Sequence, residues 1–464
     1  MNVRYLIQGL AVLAFFCASA SAQDVNGLLL TVNNVGDTHD VQTGDRICAD
    51  AVGQCTLRAA IEETNANSTR DAIIFDLPNP SMIDLSLGEL LIDQDLDIVG
   101  PGARRLTVRR AAGASNFRIF HIPQTEAFVG FRGITISGGN GLFGGGLYVE
   151  TGGVVNLADS AVTGNHAQLG GGIFSSGRLT ITRCLINSNS AATTGAGIAN
   201  VGSTHEMSIA NSTITANTGA SAGAIYNEGI LMLANDTINE NIGTQAVNSI
   251  LSNAQGTIRV INTIIGRDSA LGNSLQGAFI SGGSNIVTAA NGSTGFTNGV
   301  NGDQVSNNDI IDPMLAPLAD NGGQTDTLAP LTGSPAILTG DPCVRTAECP
   351  TLPGIQIPNG RLDQHRFRRN PFNANIDIGA HDTNAFSSTA VGTFVLSGFG
   401  PGGPTSRYAG TIVELIHPTT LERRYARVRL NGDISFSNLP GDVFVINIRA
   451  KRSGMVTPLV FAID

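Results

Sequence analysis

The middle of the chain repeats itself. Gly144-Gly-Gly-Leu-Tyr148, Gly170-Gly-Gly-Ile-Phe174, Gly195-Ala-Gly-Ile-Ala199 and Ala222-Gly-Ala-Ile-Tyr226 share one glycine-then-apolar signature. With Leu147, Ile173, Ile198 and Ile225 taken as equivalent, the steps are 26, 25 and 27 residues. A second signature lies between them, at residues 155–162, 179–186, 207–214 and 231–238, with a further copy at 258–265. Each unit alternates apolar and polar residues over short runs, which is the period of a strand. One unit cannot bury its own apolar face. Stacked units can, the strands of one coil pairing in parallel with those of the next. Glycine and asparagine fall where the chain must turn, because both tolerate a left-handed backbone. The expected fold is all-β, a right-handed parallel β-helix. Four-stranded propeller blades need about 40–45 residues, and a leucine-rich repeat needs a leucine ladder that this sequence lacks.

The repeat continues upstream in degraded form. Residues 71–75, 82–87, 96–99, 106–108, 118–122 and 131–136 read as successive strands, so the coils are expected over 70–310. Asn165, Asn189, Asn217 and Asn241 recur at the end of the second signature. They read as a structural ladder of stacked amides, each bonded to the next; the other reading is a polar strip for sugars. Leu57, Ala60, Ile61 and Thr64 share one face of a short helix, placed to cap the open first coil.

The ends frame this column. Residues 1–22 read as a signal peptide: Arg4, then an apolar run, then Ala20-Ser21-Ala22 as the small-residue cleavage pattern. No later stretch has 18 consecutive apolar residues, so no transmembrane span is expected. In an oxidising compartment Cys48 with Cys55, and Cys343 with Cys349, would close short disulfide loops. Cys184 is left as a small core filler. A net charge of −10 and 5% aromatic residues argue against nucleic acid as a partner.

Cys55-Thr-Leu-Arg-Ala-Ala-Ile61, followed by Asn65-Ala-Asn67, resembles the opening signature of bacterial secreted CSLREA-domain proteins, with Ala59 where an acidic residue is usual. Asp312-Pro-Met-Leu-Ala-Pro-Leu318, Asp320-Asn-Gly-Gly-Gln-Thr325, Gly333-Ser-Pro-Ala-Ile337, Asp363-Gln364 and Asp377-Ile-Gly-Ala380 resemble the closing segment of choice-of-anchor Q β-helix proteins. The resemblance spans residues 28–384. It implies an exported β-helix protein of the cell surface or medium, similar in shape to chlamydial polymorphic outer-membrane proteins. It brings no catalytic site. Residues 388–464 read as five short strands, at 392–398, 409–416, 425–430, 432–436 and 443–448, with turns at Asn431-Gly432 and Pro440-Gly441. They resemble a carboxypeptidase regulatory-like β-sandwich. The expected organisation is a signal peptide at 1–22, an N-terminal strand and capping helix at 23–69, coils at 70–310, a closing segment at 311–386 and an accessory sandwich at 387–464.

Chemistry is less legible. Glycoside hydrolysis needs two placed carboxylates, and a lyase needs a base beside a held uronate. Asp159, Glu206, Glu228, Asp236 and Glu240 are scattered, and no catalytic residue is assigned. Asp93, Asp95 and Asp97 read either as a solvated strand face or as carboxylate ligands of calcium, the one cofactor the sequence offers. Arg361, His365, Arg366 and Arg368 read either as a grip for a carboxylated glycan or as neutralisation of Asp363 and Asp377. His166 and His205 are isolated, without metal spacing. The expectation is a non-catalytic secreted or cell-surface protein, adhesin-like, with glycans or surface macromolecules as partners. The alternative is a polysaccharide lyase or glycoside hydrolase acting on an acidic polysaccharide.

Overall fold

The computed structural model describes residues 27–383, with gaps at 125, 203–204, 246, 267–272, 308–310, 347–348, 354–356, 358–360, 368 and 370–374, and the strands at 412–416, 423–427, 443–449 and 456–462. The leader at 1–22 lies outside these residues. So do 392–398 and 432–436.

One central coil shows the plan. Ile173–Ser175 lies in a first sheet, Arg178–Thr182 in a second, Leu185–Asn187 in a third and Ser190–Thr194 in a fourth. The chain then returns to the first sheet at Ile198–Asn200, one level up. All pairings between coils are parallel, and Leu147, Ile173, Ile198 and Ile225 stand directly over one another. The column is therefore the expected parallel β-helix. The third sheet has ten strands, which at about 4.8 Å per level makes the column roughly 45 Å long. The fourth has five, so only the middle coils have four sides. At the far end Asn273–Gly283 pairs with both Val247–Ser252 and Thr257–Ile261, joining the first two sheets.

The interior is a stack of aligned aliphatic rows. Leu157, Ile181, Ile209, Leu233 and Val260 form one row of the second sheet, all with no solvent exposure. Burying each such side chain contributes about 1.5–3 kcal/mol. The triple-glycine turns follow from crowding. A Cβ on Gly171 would lie 2.3 Å from the Ser190 carbonyl oxygen and 2.6 Å from that of Ala196. The run read as one strand at 131–136 is two, Phe128–Arg132 and Thr135–Ser137, because Gly133 turns the corner at φ 64°.

Helix α1 (Leu57–Asn65) covers the first coil, with the Thr56 hydroxyl accepting from the Ala59 amide as N-cap. Leu57, Ala60, Ile61 and Thr64 are all buried. Arg58 adds a buried clamp: its Nε donates to Asp37 at 2.7 Å, and its two Nη atoms donate to the carbonyls of Gly88 and Glu89. The disulfides Cys48–Cys55 and Cys343–Cys349 are formed. The described residues of the segment at 312–382 lie against the column, with Asp320 and Asp326 at Arg104, the Asp341 carbonyl at Asn262 and Gln364 at Thr213. The strands at 423–427, 412–416, 443–449 and 456–462 form, in that order, one antiparallel sheet. The last of them was not expected from the sequence, and the second sheet of a sandwich is not among the described residues.

Candidate functional site

The pleat of the first sheet sends alternate residues outward. Leu90, Phe120, Leu147 and Ile173 point into the core, so their successors Leu91, His121, Tyr148 and Phe174 form an outer stripe in register. The His121 and Tyr148 rings stack at 5.0 Å with planes 10° apart. Phe174 meets Tyr148 edge-on at 5.3 Å. Phe143, from Asn140–Phe143 of the fourth sheet, leans over both, 6.0 Å from Tyr148 and 5.0 Å from Phe174. The Arg118 guanidinium lies 4.7 Å from the centre of the Tyr148 ring, within cation–π range.

Charges ring this aromatic face. His121 lies between two carboxylates, its Nδ1 at 3.0 Å from Glu89 and its Nε2 at 2.9 Å from Glu150. Arg118 pairs with the other oxygen of Glu89 at 2.8 Å. Burial pulls the His121 pKa down, but the hydrogen bonds to Glu89 and Glu150 outweigh it, and the net shift is upward. Burial pushes Glu89 up, and the bond from His121 with the charge of Arg118 leaves it below its ordinary value. Tyr148 is raised by burial first and then by the charge of Glu150. Two levels beyond Phe174, Tyr226 donates to Glu228 at 2.5 Å, and burial followed by that bond pushes its hydroxyl up to about 12.

This arrangement suits recognition better than proton transfer. A flat ring flanked by carboxylate acceptors and a guanidinium donor matches a sugar, with one apolar face and hydroxyls around its rim. Both carboxylates are committed to one imidazole, and Glu89 is held in its charged form, the wrong state for a general acid. The sequence reading missed this site because its residues lie about 30 positions apart. Aligning the coils on Phe120 and Leu147 is the signal that brings His121 and Tyr148 together.

The residues singled out from sequence have other places. The strand begins at Leu96, so Asp93, Asp95 and Asp97 do not alternate along one face. Asp95 accepts from the Phe128 amide and Asp97 holds Arg70 through two bonds, while Asp93 is raised by burial. They do not gather as metal ligands among the described residues. Asn165, Asn189, Asn217 and Asn241 are buried, and each Nδ2 of the first three donates to the Oδ1 of the next at 2.9–3.0 Å. Cys184 is buried, its thiol pushed up to about 12 chiefly by desolvation.

Within the arginine-rich run, His365 and Arg366 turn inward. Arg361 is exposed and donates to the Arg345 carbonyl, Arg368 lies outside the described residues, and His365 is buried. Arg366 turns inward to Asp159 at 3.0 Å. Asp159 also takes Arg183 through two bonds and Arg132 through one. Gln364 accepts from Thr213 and donates to the Cys184 carbonyl, tying the closing segment to two coils. Buried Arg369 reaches Asp382, the Gly379 carbonyl and Asn211. His365 touches Thr327 at 2.9 Å, and its ring lies 4.5 Å from that of His381. Burial, then the charge of His365, lowers His381 to about 4.

Comparison with models of known protein families finds no match for this chain, and comparison with curated proteins finds none either. No helix among the described residues is long and apolar enough to cross a membrane.

Proposed function

We propose that this chain is an exported, non-catalytic β-helix protein that binds a glycan on the outer face of its first sheet. The observation that carries the reading is the stacked His121–Tyr148 pair, crossed by Phe143 and Phe174 and ringed by Glu89, Glu150 and Arg118. Export is supported by the signal-peptide pattern and by two closed disulfides, which persist in oxidising compartments. The opening and closing motifs favour the secreted CSLREA and choice-of-anchor Q class, with an accessory sandwich at the C-terminus.

A glycan array probed with the full chain tests the reading. A bound glycan is expected to be lost in Tyr148→Ala, with the melting temperature kept within a few degrees. An empty array, or equal binding by Tyr148→Ala, removes this face as the site. New reducing or unsaturated ends released from an acidic polysaccharide would transfer the protein to the lyase or hydrolase alternative. Amino-terminal sequencing of the exported protein tests cleavage after Ala22.

A further inference from the structure

Among the described residues, one group of His and Asp side chains gathers at metal-ligand distance: Asp363, His365 and His381, one potential ligand atom from each lying within 4.8 Å of the others. Asp363 and His365 are buried, and His381 lies at the rim. His365 Nδ1 is 3.3 Å from Asp363 Oδ2, yet it makes no hydrogen bond. A buried ring nitrogen facing a carboxylate without a bond is unusual, because such groups are nearly always satisfied. The same ring's Nε2 lies 3.4 Å from His381 Nδ1. Two ligands held about 2.0–2.1 Å from one tetrahedral ion are themselves roughly 3.4 Å apart. One ion takes only one nitrogen of the His365 ring. The unbonded Nδ1, 3.3 Å from Asp363, has the spacing of a ligand pair, while Nε2 is bonded to Thr327 and His381. His381 joins the group through the 4.8 Å separation of the three ligand atoms.

The donor set narrows the ion. Two imidazoles and one carboxylate suit zinc and neighbouring transition metals, whereas calcium takes six to eight oxygens. We propose that Asp363, His365 and His381 bind one divalent transition-metal ion, Zn2+ in the first instance. The ion would join two stretches of the closing segment that are 16 residues apart, where Gln364 already ties that segment to the column. Its role would be structural: an ion that binds only the folded segment stabilises it by mass action.

The test uses the untagged full chain, stripped with chelator and titrated with Zn2+ by calorimetry. One Zn2+ per chain is expected, with a rise in melting temperature that Ca2+ does not reproduce. Co2+ substitution should add visible d–d absorption. His381→Gln and Asp363→Asn should each weaken Zn2+ binding at least tenfold. Because Asp363 also accepts from the Phe367 amide, His381→Gln decides the matter if Asp363→Asn fails to fold. Absence of Zn2+ binding by the wild-type chain, or binding unchanged in His381→Gln, overturns the proposal.

Discussion

Two corners of the same coil meet one physical problem in opposite ways. Between the third and fourth sheets every central coil places an asparagine. Asn165, Asn189 and Asn217 pass their amides up the column, each Oδ1 of the next level accepting both a backbone and a side-chain N–H. Between the second and third sheets the equivalent residues are Asp159, Arg183, Asn211, Asn235 and Asn262, all left-handed with φ of 50–58°. Here an amide-to-amide contact runs from Asn262 to Asn235 at 3.3 Å. An amide both donates and accepts, so identical rungs satisfy one another. A carboxylate only accepts and a guanidinium only donates, so an Asp–Arg pair ends the ladder. That corner finds further partners outside the coils. The closing segment supplies Arg366 to Asp159, Arg369 to Asn211 and the Asp341 backbone to Asn262. A uniform corner needs no cover; a mixed corner is held by a strap.

The largest effect should follow from breaking the mixed corner at its charge. Asp159→Ala leaves Arg183 buried beside Arg132 and Arg366, and should destabilise the chain by about 3–5 kcal/mol in urea unfolding. Next comes the uniform corner. Asn189→Ala removes the acceptor of two N–H groups and should cost about 2–3 kcal/mol. A larger loss for Asn189→Ala than for Asp159→Ala would reverse the ranking of the two corners. Gln364→Ala should cost about 1–2 kcal/mol and act locally. Amide exchange should quicken over 312–382 while the coils stay protected, and uniform quickening would mean that strap and column open as one unit. The smallest effect belongs to the outer stripe, away from both corners. The folded His121 pKa is raised above its unfolded value, so its contribution is whole at acid pH and lost as pH rises through the raised value. The stability gap between wild type and His121→Gln should accordingly narrow from pH 6 upward.

The column was legible because its signals are local and repeated. Leu147, Ile173, Ile198 and Ile225 announce their register through the glycines before them, and the capping helix through the i, i+3, i+4, i+7 face from Leu57 to Thr64. The fourth sheet was not legible. Ser190–Thr194 has no apolar alternation, since its strands form a side wing with little to bury. The direction taken by Arg366, Arg369 and Gln364 was equally hidden. Their partners Asp159, Asn211 and Thr213 lie about 150 residues or more away, and charge pairing at that distance leaves no local pattern. The aromatic stripe falls between these cases: its register follows from the repeat, but Phe143 reaches it from the wing that sequence did not reveal.

Cys184 sits where strap and column meet, its own carbonyl held by Gln364 and its sulfur against the Leu157 and Thr182 carbonyls. With the other described cysteines bridged, any alkylating reagent that marks the intact chain at this position must have waited for a coil to part. The thiol is thus a clock built into the wall. Its modification rate counts openings of a single coil, and a strap loosened by substitution would be read as that clock running faster.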